Sequence, residues 1–237
     1  ANIALILGIG GLMIPIAIEK RIRKIEIPLM VIVTAGSIVL LIDGQLSRGE
    51  GGILFAGLIA YVIYIIRAHK ENIEHGLEEV VAEIKPIWMD ILYVILGIVG
   101  LAIGAKVLVY GATDLAESIG IPAAVIGTTI VAFGTSVPEL AATVRAAMVK
   151  EADMAVGNIV GSNVFNLLSV LGVTAIIKPL NLDSSMTWHL YAMLGVAIML
   201  MIWAIVRPVI SKGSGLLLLA VYLIYILAAY AGNPGVS

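Results

Sequence analysis

Glu139 sits deep within an apolar stretch, and the run Gly134-Thr135-Ser136-Val137-Pro138-Glu139 places two hydroxyls and a proline within a helical turn of its carboxylate. An ionised carboxylate at the centre of a membrane span costs about 2.5–3.5 kcal/mol, so such a residue reads first as a functional site. Pro138 brings no backbone N–H and clashes with the carbonyl of Gly134, four residues earlier, which leaves backbone oxygens unpaired. Carbonyls without partners persist at membrane depth only where they line a cavity or bind something. Carboxylate, hydroxyl and carbonyl oxygens with no nitrogen or sulfur among them suit hard cations, calcium above all, with sodium accepting much the same set. The competing reading has Thr135 and Ser136 bonded back onto their own helix and Glu139 protonated.

A second polar strip follows in Gly157-Asn158, Gly161-Ser162-Asn163 and Asn166. Ser162 and Asn166, four apart, share a helical face and are read as further ligands. The glycines, Asn158 and Asn163 are read as helix packing, where small residues allow close approach and amides bond between helices.

The elements that must hold these residues are membrane helices. Of 237 residues, 61% are hydrophobic and 13% charged, against about 25% charged in an ordinary soluble domain. A net charge of −2 and the absence of cysteine further exclude a nucleic-acid binder, a disulfide scaffold and thiolate chemistry. Apolar segments near 3–18, 28–42, 51–66, 88–110, 121–149, 153–177, 188–206 and 214–231 predict about eight spans, the first incomplete. The order of the first is apolar run then charges, Glu19 to Lys24, the reverse of a signal peptide. One longer polar connection, 67–87, is predicted to be a helical cytoplasmic loop.

Lys20, Arg21, Arg23, Lys24, Arg67, Lys70, Lys85, Arg145, Lys150, Arg207 and Lys212 fall on one side of that arrangement, Arg48 and Lys178 on the other, and Lys106 within a span. The bias assigns the first side to the cytoplasm and the C-terminus to the outside.

One offset aligns the chain with itself twice. Asn2, Leu7, Gly8 and Pro15 fall on Asn166, Leu171, Gly172 and Pro179, and Ser47, Arg48, Gly49 and Gly51 fall on Ser211, Lys212, Gly213 and Gly215, always 164 residues later. The first segment maps onto the sixth, an odd number of spans away, so the repeat is inverted, an architecture of secondary transporters with a midplane site between the halves. The predicted division is a remainder of a first repeat at 1–66, the loop at 67–87 and a second repeat at 88–237, with a counterpart of residues 87–164 expected before Ala1. Asn2, equivalent to Asn166, should face the same site from the opposite direction.

Other candidates are weaker. His69 and His75 lie in the loop and His189 at a span end; Lys106, Asp114 and Glu117 lie towards the outer end of the fourth segment, where a charge can snorkel. Trp88, Trp188 and Trp203 fit an aromatic belt. No GxSxG, HExxH or P-loop pattern occurs, and the chain reads as a non-enzyme with no cofactor.

The stretch IGTTIVAFGTSVPELAATVRAAMVKEADMAVGNIVGSNVFNLLSVLG, Ile126 to Gly172, resembles the second α-repeat of the sodium/calcium exchanger group of cation/calcium antiporters in its prokaryotic form, and ANIALILG resembles the tail of the first. The resemblance implies an all-α polytopic membrane protein with the inverted-repeat antiporter fold, about eight of ten helices being present, and a calcium/sodium antiporter of the cell membrane. It implies as ligands the Ala132 carbonyl, the Thr135 carbonyl and hydroxyl, Ser136, Glu139, Ser162 and Asn166, with Asn2 for the first half. Glu139 would be shared by calcium and sodium so that the two compete, and Asn166, where potassium-dependent relatives carry Asp, implies independence of potassium. The partners expected are the two cations and the bilayer.

The first-repeat GTSxPE motif and its acid are absent from the sequence. With one carboxylate a dehydrated divalent ion is under-neutralised, so these residues alone are not expected to transport, and an N-terminal part of the first repeat is expected to complete the site. Proton/calcium exchange and a non-transporting membrane scaffold are the alternatives.

Overall fold

A computed structural model describes residues 1–76, 87–120, 126, 130–149, 151–182 and 186–231. Ten helices are distinguished among them: α1 (Gly8–Met13), α2 (Ile27–Leu40), α3 (Arg48–Gly76), α4 (Ile87–Ser118), α5 (Ala132–Thr135), α6 (Val137–Met148), α7 (Ala152–Phe165), α8 (Gly172–Ile177), α9 (Thr187–Val206) and α10 (Lys212–Ala231). Wider π-helical turns at Asn2–Leu7, Ile22–Glu26 and Asn166–Leu171 lead into α1, α2 and α8. Four two-residue strands, β1 (Ile16–Ala17), β2 (Gln45–Leu46), β3 (Leu180–Asn181) and β4 (Val209–Ile210), lie in the turns between helices.

Five stretches are long and apolar enough to cross a membrane, Arg48–Ala68, Trp88–Ser118, Met154–Ile177, Thr187–Val206 and Lys212–Ala229, and Asn2–Met13 is a shorter apolar helix. The chain is an integral membrane protein. The most apolar window of α4 has 0% of its residues buried, so its isoleucines and leucines face outward, as a helix against lipid requires. The protein core lies where α2, α7 and α9 meet the first π turn, and Ile6, Ile27, Met30, Ile159 and Leu200 are almost fully buried there.

The 164-residue shift recurs element by element. It carries the π turn at Asn2–Leu7 onto that at Asn166–Leu171, α1 onto α8, β1 onto β3, β2 onto β4 and the start of α3 onto the start of α10. Strand pairing follows the same rule: β1 pairs with β4 through Ile16 opposite Ile210, and β2 pairs with β3 through Leu46 opposite Leu180. Applying the shift to one pair returns the other, which is how a two-fold relation behaves. The pairs also bring the turn bearing Lys20 beside that bearing Arg207, and the turn bearing Arg48 beside that bearing Lys178, the same grouping the charge count predicts.

Local chemistry sets the helix ends. Ile14 and Lys178 are extended, with φ of −145° and −141°, and each precedes a proline, whose ring disfavours the helical conformation one residue earlier. The predicted first span, 3–18, therefore stops at Met13 and turns into β1. The predicted span 121–149 is likewise interrupted, at Ser136 between α5 and α6, with part of it outside the described residues. Conversely α3 continues through Gly76 into the predicted loop, because Arg, Lys and Glu are good helix formers; residues 77–86 of that loop lie outside the described set.

Candidate functional site

The site begins at the break between α5 and α6. Ser136 has φ −95° and ψ −1°, its N–H bonds the Phe133 carbonyl at 2.9 Å, and α6 starts afresh at Val137 with Pro138 in its first turn. Pro138 is tolerated there because the N–H it lacks belongs to a position with no helical partner. Glu139 is thus the third residue of a new helix, with its carboxylate near the positive end of the helix dipole. Its Oε2 is buried and has no hydrogen-bond partner among the described residues. A buried carboxylate oxygen without a donor is costly, and a bound cation is the partner such an oxygen calls for. Gly134 lets this bend approach α4: a Cβ there would overlap the Val109 side chain.

Asn2, Ser136 and Ser162 come together from three separate parts of the chain. The Ser136 hydroxyl donates to Asn2 Oδ1 at 3.2 Å, Asn2 Nδ2 donates to Ser162 Oγ at 2.9 Å, and Ser162 Oγ donates to the Ile159 carbonyl at 3.1 Å. Asn2 and Ser136 are both buried, each 7% exposed, and Ser136 stands three residues before Glu139. Among the described residues no three His, Cys, Asp or Glu side chains converge, so the described site is one carboxylate among neutral oxygens. That composition fits an alkali or alkaline-earth cation better than a transition metal.

The remaining sequence candidates are less closely gathered. Thr135 is on the exposed side of the bend, and Ala132 opens α5. Asn166 starts the second π turn and is exposed, outside the Ser136–Asn2–Ser162 chain. Both asparagines paired by the repeat therefore begin a π turn, a device that recurs at functional sites because it disturbs the regular backbone ladder.

Sequence reasoning named one of two residues that brace this turn and passed over the other. Asn158, read as an amide that bonds between helices, does so, donating through Nδ2 to the Glu139 carbonyl and to Thr143 Oγ1, both at 3.2 Å. Thr143, fully buried on α6, was not singled out. The signal was the four-residue spacing on both helices, Glu139 to Thr143 and Asn158 to Ser162. His189 shares a hydrogen bond with Tyr225, at 2.9 Å between its Nδ1 and the tyrosine Oη, in a cavity that Asn2 and Asn163 also line.

The family model described as "Sodium/calcium exchanger protein" matches residues 1–67 and 89–231. The chain belongs to the sodium/calcium exchanger family. Among its relatives, the putative antiporter CaxA of Alkalimonas amylolytica is 34% identical over 189 residues, 78% of this chain and 59% of CaxA. The inner membrane protein YrbG of Escherichia coli K12 is 29% identical over 98% of this chain and 74% of its own length. The sodium/calcium exchanger MaX1 of Methanosarcina acetivorans is 28% identical over 60% of this chain and 41% of MaX1. The chain thus spans less than two thirds of the length of CaxA. A solved structure of the sodium-calcium exchanger NCX_Mj, soaked without sodium and calcium, superposes with a TM-score of 0.79 at 28% identity, covering 95% of this chain and 72% of that one. A second, soaked with 10 mM sodium and 10 mM strontium, gives 0.78 at the same identity and coverage. The fold is the inverted-repeat fold of this family.

Proposed function

We propose that this chain provides ion ligands of a calcium/sodium antiporter that works by alternating access, binding either calcium or sodium at Glu139. The observation that carries the reading is the buried Glu139 Oε2 with no hydrogen-bond partner among the described residues, one turn along the chain from Ser136, whose hydroxyl is bonded to Asn2 and through it to Ser162. In support, MaX1 and NCX_Mj are themselves sodium/calcium exchangers by description. The ligand set is Glu139, Ser136, Thr135, the Ala132 carbonyl, Ser162, Asn166 and Asn2. A single carboxylate neutralises half of a divalent charge, so further acidic oxygen ligands beyond the described residues complete the calcium site. With Asn rather than Asp at 166, exchange is independent of potassium.

Residues 1–66 and 88–237 belong to two inverted halves joined through 67–87. The side carrying Lys20, Arg207 and Lys212 faces the cytoplasm of a prokaryotic cell and the C-terminus faces out. Alternating access needs the two cations to compete for the same carboxylate, since a strict exchanger never returns empty. Replacing Glu139 with Gln keeps the shape and removes the charge. In proteoliposomes of the full-length protein, sodium-gradient-driven calcium uptake should fall at least about 100-fold, as expected when a charge that only the bound cation balances is lost. Full retention of uptake in E139Q would sink the role of Glu139, and calcium uptake driven by a pH gradient without sodium would make the counter-ion a proton.

A further inference from the structure

We infer that Asn158 and Thr143 are positioning residues that set where the Glu139 carboxylate stands against α7; the inference rests on the proposed cation site and concerns groups that do not themselves touch the ion. The break at Ser136 separates the first turn of α6 from the helix before it, and Pro138 contributes no N–H to that turn. The turn that carries Glu139 is therefore poorly tied to its own upstream backbone. Its hold comes from the side. Both hydrogens of the Asn158 amide are used on α6, one on the Glu139 carbonyl and one on Thr143 Oγ1, each at 3.2 Å. Glu139 and Thr143 are four apart and share a face of α6; Asn158 and Ser162 are four apart and share a face of α7.

With α6 ending at Met148 and α7 starting at Ala152, the two helices run antiparallel, so Thr143 and Asn158 lie one turn nearer those ends than Glu139 and Ser162 do. Grip at Asn158 thereby fixes the height and rotation of Glu139 relative to the Ser162–Asn2–Ser136 oxygens. Thr143 is 0% exposed, so its hydroxyl has no water to turn to when the amide is removed, and the arrangement has one low-energy setting. Asn158 also lines a cavity of about 620 Å³ with Arg21, Glu26 and Tyr61, which gives the α6–α7 seam room to relax once the amide bonds are lost. Attraction to a carboxylate scales with ionic charge, and displacement of Glu139 therefore costs calcium more than sodium.

The experiment measures half-saturation for calcium and for sodium, in exchange assays and in cation-induced thermal stabilisation, on full-length wild type, Asn158→Leu, Thr143→Val and Thr143→Ser. Asn158→Leu and Thr143→Val should raise the calcium value on the order of 10-fold, the usual cost of losing a group that orients a metal ligand, while sodium moves by a smaller factor and Thr143→Ser stays at the wild-type value. Thr143→Val preserves shape, so the inference stays testable even where Asn158→Leu fails to fold. Equal shifts for both ions, unchanged half-saturation with only a lower maximal rate, or a Thr143→Ser that behaves as Thr143→Val would each overturn the positioning role while leaving the cation site intact. A wild type that binds neither cation overturns both.

Discussion

The crossing of α1 with α10 and the crossing of α8 with α3 are built alike, their glycine contacts matching position for position at a shift of 164, while other pairs of shifted positions have diverged. At one crossing a Cβ on Gly215 would stand 2.6 Å from the Gly8 carbonyl oxygen and 2.8 Å from the Leu12 nitrogen; at the other, a Cβ on Gly51 would stand 2.8 Å from the Gly172 carbonyl oxygen and 2.9 Å from the Ile176 nitrogen. Backbone against backbone leaves no substitution available, so both copies keep glycine. The diverged positions have no such limit. At one set Arg21 Nε meets the buried Glu26 carboxylate at 3.5 Å, beside Tyr61 in one cavity. The shift carries Glu26 to Leu190 and Tyr61 to Tyr225, and there the tyrosine meets His189 instead. Packing geometry is what the repeat has preserved, and side-chain chemistry is what it has been free to change.

The sharpest way to break this equivalence is at the crossings. Gly51→Ala and Gly215→Ala should each cost roughly 3 kcal/mol or more, the upper range for overpacking against unyielding atoms, read as loss of thermal stability in detergent. Gly49→Ala and Gly213→Ala are the controls, since their nearest neighbour is a serine Oγ at 3.9 Å, and they should move stability by no more than about 0.5 kcal/mol. One crossing glycine tolerated and its counterpart not would show that the crossings are not equivalent.

At the diverged positions the effects should be smaller and unequal. Glu26 is 8% exposed, and Glu26→Gln leaves the Arg21 charge without its carboxylate, a change worth about 1.5–3 kcal/mol, as for other charge-assisted bonds. Tyr225→Phe removes one neutral hydrogen bond and should cost about 0.5–1.5 kcal/mol. Equal losses in the two variants, in the same melting assay, would remove the distinction between them.

The smallest difference is expected at the helix starts. Ser47 Oγ accepts from the Glu50 N–H at 3.3 Å while the Glu50 carboxylate accepts from the Ser47 N–H at 2.8 Å, a reciprocal cap on α3. At α10 the same positions are Ser211 and Ser214, with bonds of 3.4 and 3.2 Å. Ser47→Ala and Ser211→Ala should each cost about 1 kcal/mol, with the loss at Ser47 the larger because its partner is charged. The order reversed would mean that the neutral serine pair caps as well as the carboxylate.

Much of this was legible in the chain because it depends on neighbours in sequence. Pro15 and Pro179 end their helices through the residue before them, Ser47 and Ser211 start theirs through the residue three later, and one carboxylate in an apolar run stands out against its surroundings. Asn158 reads along the chain as an amide bonding between helices, and it does so, but its acceptors, the Glu139 carbonyl and Thr143 Oγ1, lie on another helix and could not be named from its own neighbours. Asn166 keeps the helical spacing from Ser162, its N–H bonding the Ser162 carbonyl, yet its residue is exposed at the start of a π turn, because periodicity fixes a face of a helix and not what packs against it.

By itself the sequence determined that this is a membrane protein, that it contains a shifted copy of part of itself, and that Glu139 stands as an acid within an apolar stretch; each is a matter of composition, spacing or local backbone chemistry. Tertiary structure alone decided that Asn2, 134 residues from Ser136 and 160 from Ser162, bonds to both, and that Asn158 grips the Glu139 turn. Those contacts join atoms far apart along the chain, and they form only where the helices carrying them are packed side by side.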